Sequence, residues 1–326
     1  MQKGKLMRIL VTGGAGFIGS SLVDVLLNHG HEVVVIDNFN DFYSEDIKNR
    51  NIASHLENKK YKLFRGDIEN ISDLEKVFED GRIDVVYHLA ARAGIRPSLI
   101  NPLEYAKTNY IGTLNILDAM RFHGVKRIFF ASSSSVYGNC TDVAFSEDTK
   151  VSQPISPYAA TKAACESLIY TYTHLYDISA MCFRFFTVYG PRQRPDLAIH
   201  KFARKIVNGE YIQMYGDGSS KRDYTYIADV VSALAAALKV SDFSYEIVNL
   251  GGGEPIVLSR MISELESALG MKAFVKRFPM QPGDVNRTVC DWSKARALLG
   301  YMPSTSFSVG IHNFVNWFRL QMEASI

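Results

Sequence analysis

Arg8-Ile-Leu-Val-Thr12-Gly13-Gly14-Ala15-Gly16-Phe17-Ile18-Gly19 is the stretch on which the fold turns. A short apolar run bounded by glycines reads as a buried strand. Beyond it, Ile18, Leu22, Val25 and Leu26 recur at helical spacing until Gly30, which predicts a helix over 17–29. A strand, a glycine turn and a helix in that order make a phosphate cradle. Gly13 permits the tight turn, Gly16 lets the backbone approach a pyrophosphate, and Gly19 lets helix and strand pack closely. The helix N-terminus adds free N–H groups and the positive end of its dipole.

Outward from this turn the pattern repeats. Glu32-Val-Val-Val-Ile-Asp37 is a second buried strand, and its terminal Asp37 lies 24 residues after Gly13. A carboxylate there can bond the adenosine ribose hydroxyls and repel a 2′-phosphate, which favours NAD over NADP. Strands are expected at 61–65, 85–89, 127–131 and 180–184, with helices at 72–78, 105–122 and 157–176 between them. Strands alternating with helices imply right-handed crossovers and a parallel sheet. The expected class is α/β, a doubly wound parallel sheet of Rossmann type with a smaller α/β substrate-binding C-terminal region. The boundary is set at 1–190 for the nucleotide-binding domain and 191–326 for the second. Tyr245-Glu-Ile-Val-Asn249 has the composition of a last strand able to rejoin the main sheet. Within 191–326, helices are expected at 199–208, 227–239, 258–269 and 308–322.

Composition narrows the classes. The 326 residues are 47% hydrophobic and 21% charged, with a net charge of +2 and the basic residues dispersed, so a nucleic-acid partner is not indicated. Cys140, Cys165, Cys182 and Cys290 stand far apart and read as reduced thiols. The apolar runs have the length of strands, so no membrane span is expected, and cytoplasm is the default location.

Tyr158 and Lys162 lie four apart on one expected helix and share a face. A free tyrosine ionises near pH 10, too high for a base at neutral pH. A neighbouring ammonium stabilises the phenolate and lowers that value. Phe130-Ala-Ser132-Ser133-Ser134-Ser135 ends an adjacent strand before Val136-Tyr-Gly138, and a serine there can bind the reacting hydroxyl. Conjoined with the glycine turn and Asp37, this set resembles the Ser–Tyr–Lys group of the short-chain dehydrogenase/reductase superfamily. By the Val-Tyr-Gly register Ser133 takes the catalytic place, 25 residues before Tyr158.

Further residues resemble the extended branch of that superfamily, over roughly the whole chain. The resemblance implies cofactor contacts from Gly13, Gly16, Phe17, Ile18 and Gly19, from Asp37, Asn38 and Asn40, and from Asp67 and Ile68 beside the adenine. Leu89, Ala90 and Ala91 look like the wall beside the pyrophosphate. Asn109 looks like the structural asparagine of the next helix, and Phe185, just after the strand at 180–184, is a further implied cofactor contact. Arg222-Asp-Tyr-Thr-Tyr-Ile-Ala-Asp229 and Pro282-Gly283-Asp284 stand where nucleotide-sugar epimerases and dehydratases touch the nucleotide.

Residues beside the serine separate the chemistries of the branch. The 4,6-dehydratases carry an Asp-Glu pair after the catalytic residue, and UDP-glucuronate decarboxylases a glutamate before Val-Tyr-Gly. This chain has Ser134 and Ser135. Plain 4-epimerization, which needs hydride transfer and one proton shuttle, fits best. Phe185-Phe-Thr187-Val-Tyr-Gly-Pro-Arg192-Gln-Arg194, the segment Asp37–Tyr43 and the turn ending in Arg96 are similar to the UDP-glucuronate 4-epimerases. That resemblance implies substrate contacts from Arg96, Ser133, Ser134, Ser135, Tyr158, Thr187, Arg192, Arg194, Arg222 and Asp284, with NAD as cofactor and a homodimer. A contact to a charged group is worth about 1.5–3 kcal/mol, enough to favour an acid sugar over a neutral one. There are two departures. Gln281 stands where several neutral-sugar epimerases have arginine, so a different arginine, Arg222 or Arg194, is expected to hold the phosphates. Tyr215-Gly-Asp-Gly218 follows the common nucleotide-sugar version, where glucuronate epimerases often differ, so UDP-glucose and UDP-N-acetylglucosamine remain alternatives. Loss of CO2 from UDP-glucuronate and a non-catalytic NAD-sensing role are the remaining alternatives.

Overall fold

The computed structural model describes residues 5–140, 142–279 and 287–323. Strand β1 (Arg8–Thr12) runs into helix α1 (Phe17–Asn28), followed by β2 (Glu32–Asp37), α2 (Glu45–Ile52), β3 (Tyr61–Arg65), α3 (Ile71–Glu79) and β4 (Val85–His88). Two short helices, α4 (Ile95–Ile100) and α5 (Pro102–Tyr105), lead through a π-helical segment (Ala106–Ile111) into α6 (Gly112–Phe122). Then come β5 (Arg127–Ser133), α7 (Pro157–Tyr176), β6 (Ser179–Phe185), β7 (Thr187–Tyr189), α8 (Ala198–Val207), β8 (Tyr211–Tyr215) and β9 (Lys221–Tyr226). The chain ends with α9 (Ile227–Ala237), β10 (Tyr245–Leu250), β11 (Pro255–Val257), α10 (Leu258–Leu269), β12 (Phe274–Phe278), α11 (Ser293–Leu299) and α12 (Phe307–Glu323).

The chain divides into two compact units. The first comprises Met1–Asn139, Glu147–Phe185 and Leu234–Val248. Among the described residues its sheet has seven strands in the order β10-β6-β5-β4-β1-β2-β3. The pairings from β3 across to β6 are parallel. Register explains the apolar composition of the strands. Val34, Leu10, Val86, Ile128 and Ala180 lie side by side in one row, and all pack in one core with Leu74, Ile116 and Ile169 of α3, α6 and α7. The next row, Val35, Val11, Tyr87, Phe129 and Met181, points to the opposite face and is also buried. A parallel sheet covered on both faces needs both rows apolar. Tyr87 reconciles a hydroxyl with this burial by donating to Leu234 O of α9 at 2.7 Å.

Helix α7 shows why the sequence starts and stops where it does. Ser156 caps it by accepting from Ala159 N at 3.2 Å, Pro157 occupies the first turn, and Asp177 ends it in the left-handed conformation. The expected single helix at 105–122 is instead α5, the π-helical turn and α6. The extra residue of a π turn leaves the apolar spacing on either side intact, so periodicity does not show it.

The second unit comprises Cys140–Ser146, Phe186–Ala233 and Asn249–Ile326. Among the described residues it holds a three-stranded sheet, β11-β9-β7, and a two-stranded one, β12-β8. Helices α8, α10 and α12 pack Ile199, Phe202, Met261, Leu265, Ile311 and Phe314 into its core. Asp223, fully buried on β9, ties three segments together: it accepts from Gly252 N at 2.6 Å and from Gly253 N and Cys290 N at 2.9 Å. Burial pushes this carboxyl up to about 6, against the pull of those three donors.

Candidate active site

In a doubly wound sheet, ligands bind at the carboxyl ends of the strands, at the point where strand order reverses. Here that point lies between β1 and β4. The parallel arrangement brings Gly13, Asp37, Asp67, Leu89, Ser133 and Phe185 to one edge of the sheet, because each sits at or just beyond a strand's carboxyl end.

The turn after β1 is built around close backbone approach. Gly13 has φ +70°, and a Cβ on it would stand 2.8 Å from Ala90 Cα. A Cβ on Gly19 would stand 2.2 Å from Gly13 O. Helix α1 begins at Phe17, with Ile18 next, and its N-cap Gly16 offers no side chain to the first N–H groups. These are the free donors that a diphosphate takes.

Asp37 is buried, with Oδ2 accepting from Ala15 N at 3.1 Å and Oδ1 from Phe39 N at 2.9 Å. Lys48 Nζ lies 3.5 Å from Asp37 Oδ1, 3.3 Å from Asn40 Oδ1 and over the rings of Phe39 and Tyr43. Sequence reading passed over this buried lysine, because only the return of α2 onto the loop after β2 brings it there. Asn38 donates to Asp67 Oδ2 at 2.7 Å, which joins the ends of β2 and β3. Ile68 is buried against Gly112.

His88 ends β4 and organises the wall beside the turn. Ala90 N donates to Thr12 Oγ1 at 3.0 Å, Thr12 Oγ1 to His88 Nδ1 at 2.7 Å, His88 Nε2 to Thr113 Oγ1 at 3.0 Å, and Thr113 Oγ1 to Asn109 O at 2.5 Å. This is the direction in which every group of the chain is satisfied, and it requires a neutral imidazole. Burial, with Lys162 nearby, pushes His88 down to about 3. The Asn109 amide donates to Arg92 O and Thr161 Oγ1, and its Oδ1 accepts from Arg92 N, so its side chain braces the loop after β4 against α7.

Ser133, Tyr158 and Lys162 fall within the first unit. Ser133 closes β5, and its Oγ accepts from Ser135 N at 3.2 Å, capping the 3-10 turn Ser134–Tyr137. Ser134 and Ser135 are half-buried on that turn. Tyr158 and Lys162 lie one turn apart near the start of α7. Lys162 Nζ donates to Ala131 O of β5 at 2.7 Å and lies 4.7 Å from the centre of the Phe130 ring. Burial lowers its ammonium to about 8, while Cys165 and Glu166 of the same helix and Cys182 of β6 pull the other way. Arg96 is exposed on α4.

The remaining expected residues lie in the second unit. Thr187 opens β7, two residues after β6 ends. Arg192 has the left-handed φ of 66°, which for a side chain of this size is strained backbone. Arg194 makes a two-pronged pair with Asp196 at 2.9 and 2.8 Å, so its charge is matched within its own loop. Arg222 lies on β9 and donates to Lys221 O. Asp284, with Gln281, Pro282 and Gly283, lies outside the described residues. Among the described residues there is no cluster of histidine, cysteine and acid side chains able to hold a metal, and no helix long and apolar enough to cross a membrane.

Known proteins place this arrangement. A family model described as GDP-mannose 4,6 dehydratase matches residues 10–314. The chain is 43% identical over 315 residues to a UDP-glucuronate 4-epimerase of Thermodesulfobacterium geofontis, covering 96% of this chain and 97% of that one. It is similar to the crystal structure of a Bacillus cereus UDP-glucuronic acid 4-epimerase in complex with UDP-glucuronic acid and NAD, with a TM-score of 0.91, 38% identity, and 97% and 100% of the two chains covered. A Thermotoga maritima UDP-glucose 4-epimerase solved with UDP-glucose gives 0.89 and 33%, again with 97% and 100% covered. The chain belongs to the GDP-mannose 4,6 dehydratase-like extended short-chain dehydrogenase/reductase family, and the relatives named here within it are sugar-nucleotide 4-epimerases.

Proposed function

We propose that this protein is an isomerase that interconverts UDP-glucuronate and UDP-galacturonate by NAD-dependent inversion at C4. The observation that carries the reading is the end of β5. Ser133 closes the strand that Lys162 grips at Ala131 O, and Ser134 and Ser135 follow where other chemistries of the family place acids. That set handles one proton and no second elimination.

The first unit fits NAD on its own features: a helix start with uncapped N–H groups, a backbone turn that a Cβ would block, and a carboxylate at the end of β2. Bound NAD supplies a reversible hydride acceptor for C4. In this reading Tyr158 takes and returns the 4-OH proton, Ser133 orients that oxygen, and Lys162 stabilises the phenolate. Asp37 and Lys48 hold the adenosine ribose end. Thr187, Ser134 and Ser135 donate to the C6 carboxylate, and Arg192, Arg222 and Asp284 serve the rest of the sugar nucleotide. Arg194 adds no net charge because Asp196 neutralises it.

With a uronic acid, the 4-keto intermediate is a β-keto acid prone to lose CO2. Donors on the carboxylate keep the C5–C6 bond out of line with the carbonyl. The structural likeness to a UDP-glucose 4-epimerase keeps UDP-glucose as the second substrate to test. The purified protein is incubated separately with UDP-glucuronate, UDP-glucose and UDP-N-acetylglucosamine, and products are resolved by NMR. UDP-galacturonate forming without added NAD is the expected result, with Tyr158→Phe lowering kcat by on the order of 10²–10⁴-fold. UDP-pentose as the main product overturns the reading.

The proposed assembly is a homodimer through α4–α6 and α7. Their outward side chains include Ile100, Leu103, Ile111, Phe122 and Tyr170, all exposed.

A further inference from the structure

Glu166 lies one turn beyond Lys162 on α7 and is buried. Ser132 Oγ donates to its Oε1 at 2.5 Å, Arg184 Nε to the same oxygen at 2.9 Å, and Arg184 Nη2 to Oε2 at 2.8 Å. Ser132 and Arg184 are register partners on β5 and β6. One carboxylate thus clamps the helix to two adjacent strands. On β5 the clamp falls on Ser132, between Ala131, whose carbonyl holds Lys162, and Ser133. The clamp is fixed in turn from behind: Arg184 lies over the Tyr137 ring at 4.8 Å, and Tyr245 Oη donates to Glu166 O at 3.1 Å.

A bare ion pair could hold α7 to β6 without touching β5. The Ser132 hydroxyl is the part that reaches the strand carrying the proposed reacting serine. Two fixed points on β5, Ala131 O for Lys162 and Ser132 Oγ for Glu166, set both the height and the rotation of the helix against that strand. Tyr158, one turn before Lys162, inherits both.

We propose that Glu166, with Ser132 and Arg184, is a positioning residue for the Ser133–Tyr158–Lys162 set, fixing where the Lys162 ammonium stands relative to the Tyr158 phenol. This inference rests on the proposed roles of those three residues. The groups facing Lys162 and Glu166 are His88 of β4, Cys182 and Arg184 of β6, Tyr245 of β10, Tyr137, and Cys165 of α7 itself.

The test keeps every charge and changes how α7 is held against β5. Glu166→Asp shortens the reach, and Ser132→Ala removes the link to β5 while leaving the ion pair. The first readout needs no substrate. The ionisation of Tyr158 is isolated by ultraviolet difference titration of each background against the same background carrying Tyr158→Phe. Both variants are expected to raise the Tyr158 midpoint by roughly half a pH unit or more, because the ammonium no longer stands at its best place. The second readout is turnover, where kcat falls by about tenfold or more with KM within about twofold.

Variants that lower only the unfolding temperature, leaving the Tyr158 midpoint and kcat at wild-type values, overturn the inference. If Glu166→Asp fails to fold, Ser132→Ala decides. A wild-type protein inactive on every UDP-sugar sinks the epimerase reading instead, and the titration still decides the positioning role.

Discussion

Lys162 is held where burial brings its ammonium down to about 8 while a backbone carbonyl accepts its hydrogen bond. Its protonated form is the one that stabilises a phenolate, so activity that depends on it is lost as pH rises through about 8. Stability moves the other way. Between the lowered folded value and the ordinary 10.5, the unfolded chain binds more protons than the native one, so this lysine makes folding more favourable as pH rises. The expected outcome is a kcat profile with an alkaline limb near pH 8 and an unfolding temperature that this lysine does not lower over the same range. A profile flat to well above that limb would remove Lys162 from the proton-handling set. Tyr158 and Lys162 were legible in the sequence because a helix puts every fourth residue on one face. Glu166, four further on, carries the same spacing but was not singled out, since an acid in the middle of a helix ordinarily lies on its solvated face. Its meaning depends on Ser132 and Arg184, which only strand register brings together. His88 was legible as part of a wall and not as the centre of a hydrogen-bond chain, because Thr113 comes from a helix 25 residues away.

At the scale of elements, the first β–turn–α unit was the most readable part of the chain, since its glycines answer to hard contacts. A methyl group on Gly19 would stand 2.2 Å from Gly13 O, and the backbone of the turn is what it would displace. Gly19→Ala is therefore expected to destabilise the protein by about 1–3 kcal/mol, the usual range for overpacking, and to weaken NAD retention disproportionately. Thermal unfolding and the NAD content of the purified variant measure the two effects. Normal NAD content would show that the turn tolerates the shift. The elements missed or altered have physical reasons. Helix α4 contains Pro97 within six residues, too few for a period to show. The π-helical turn hides between two stretches of ordinary helical spacing. Helix α2 has little apolar content and buries Lys48 and Asn51, which signals a role near Asp37 that hydropathy does not reveal.

For the whole molecule, the parallel sheet of the first unit was legible in the alternation of strands and helices, its strand order was not, and Tyr245–Leu250 lies at its edge. The second unit was less legible, because its strands are short and pair over long separations. β12 runs parallel to β8, and β11 runs antiparallel to β9. No local pattern encodes such partners, and Asp223 looks like an ordinary surface acid until three backbone N–H groups are seen converging on it. The first unit's outer helices carry a further consequence. Leu103, Lys107 and Ile111 are exposed at four-residue intervals, and on α7 Ser167, Tyr170 and His174 form the matching outward stripe. In the proposed dimer the same patch meets itself across a two-fold axis, so one substitution alters two places at once. Removing one buried apolar side chain costs about 1.5–3 kcal/mol. Replacing both Ile111 and Tyr170 by glutamate adds like charges to that loss. The double substitution should weaken the dimer by on the order of 10⁴-fold or more in Kd, with the sheet intact because neither side chain belongs to its core. Sedimentation velocity over a concentration series, with circular dichroism as the control for folding, reads this directly. A doubly substituted protein that sediments as the wild type does would place any self-association on another face.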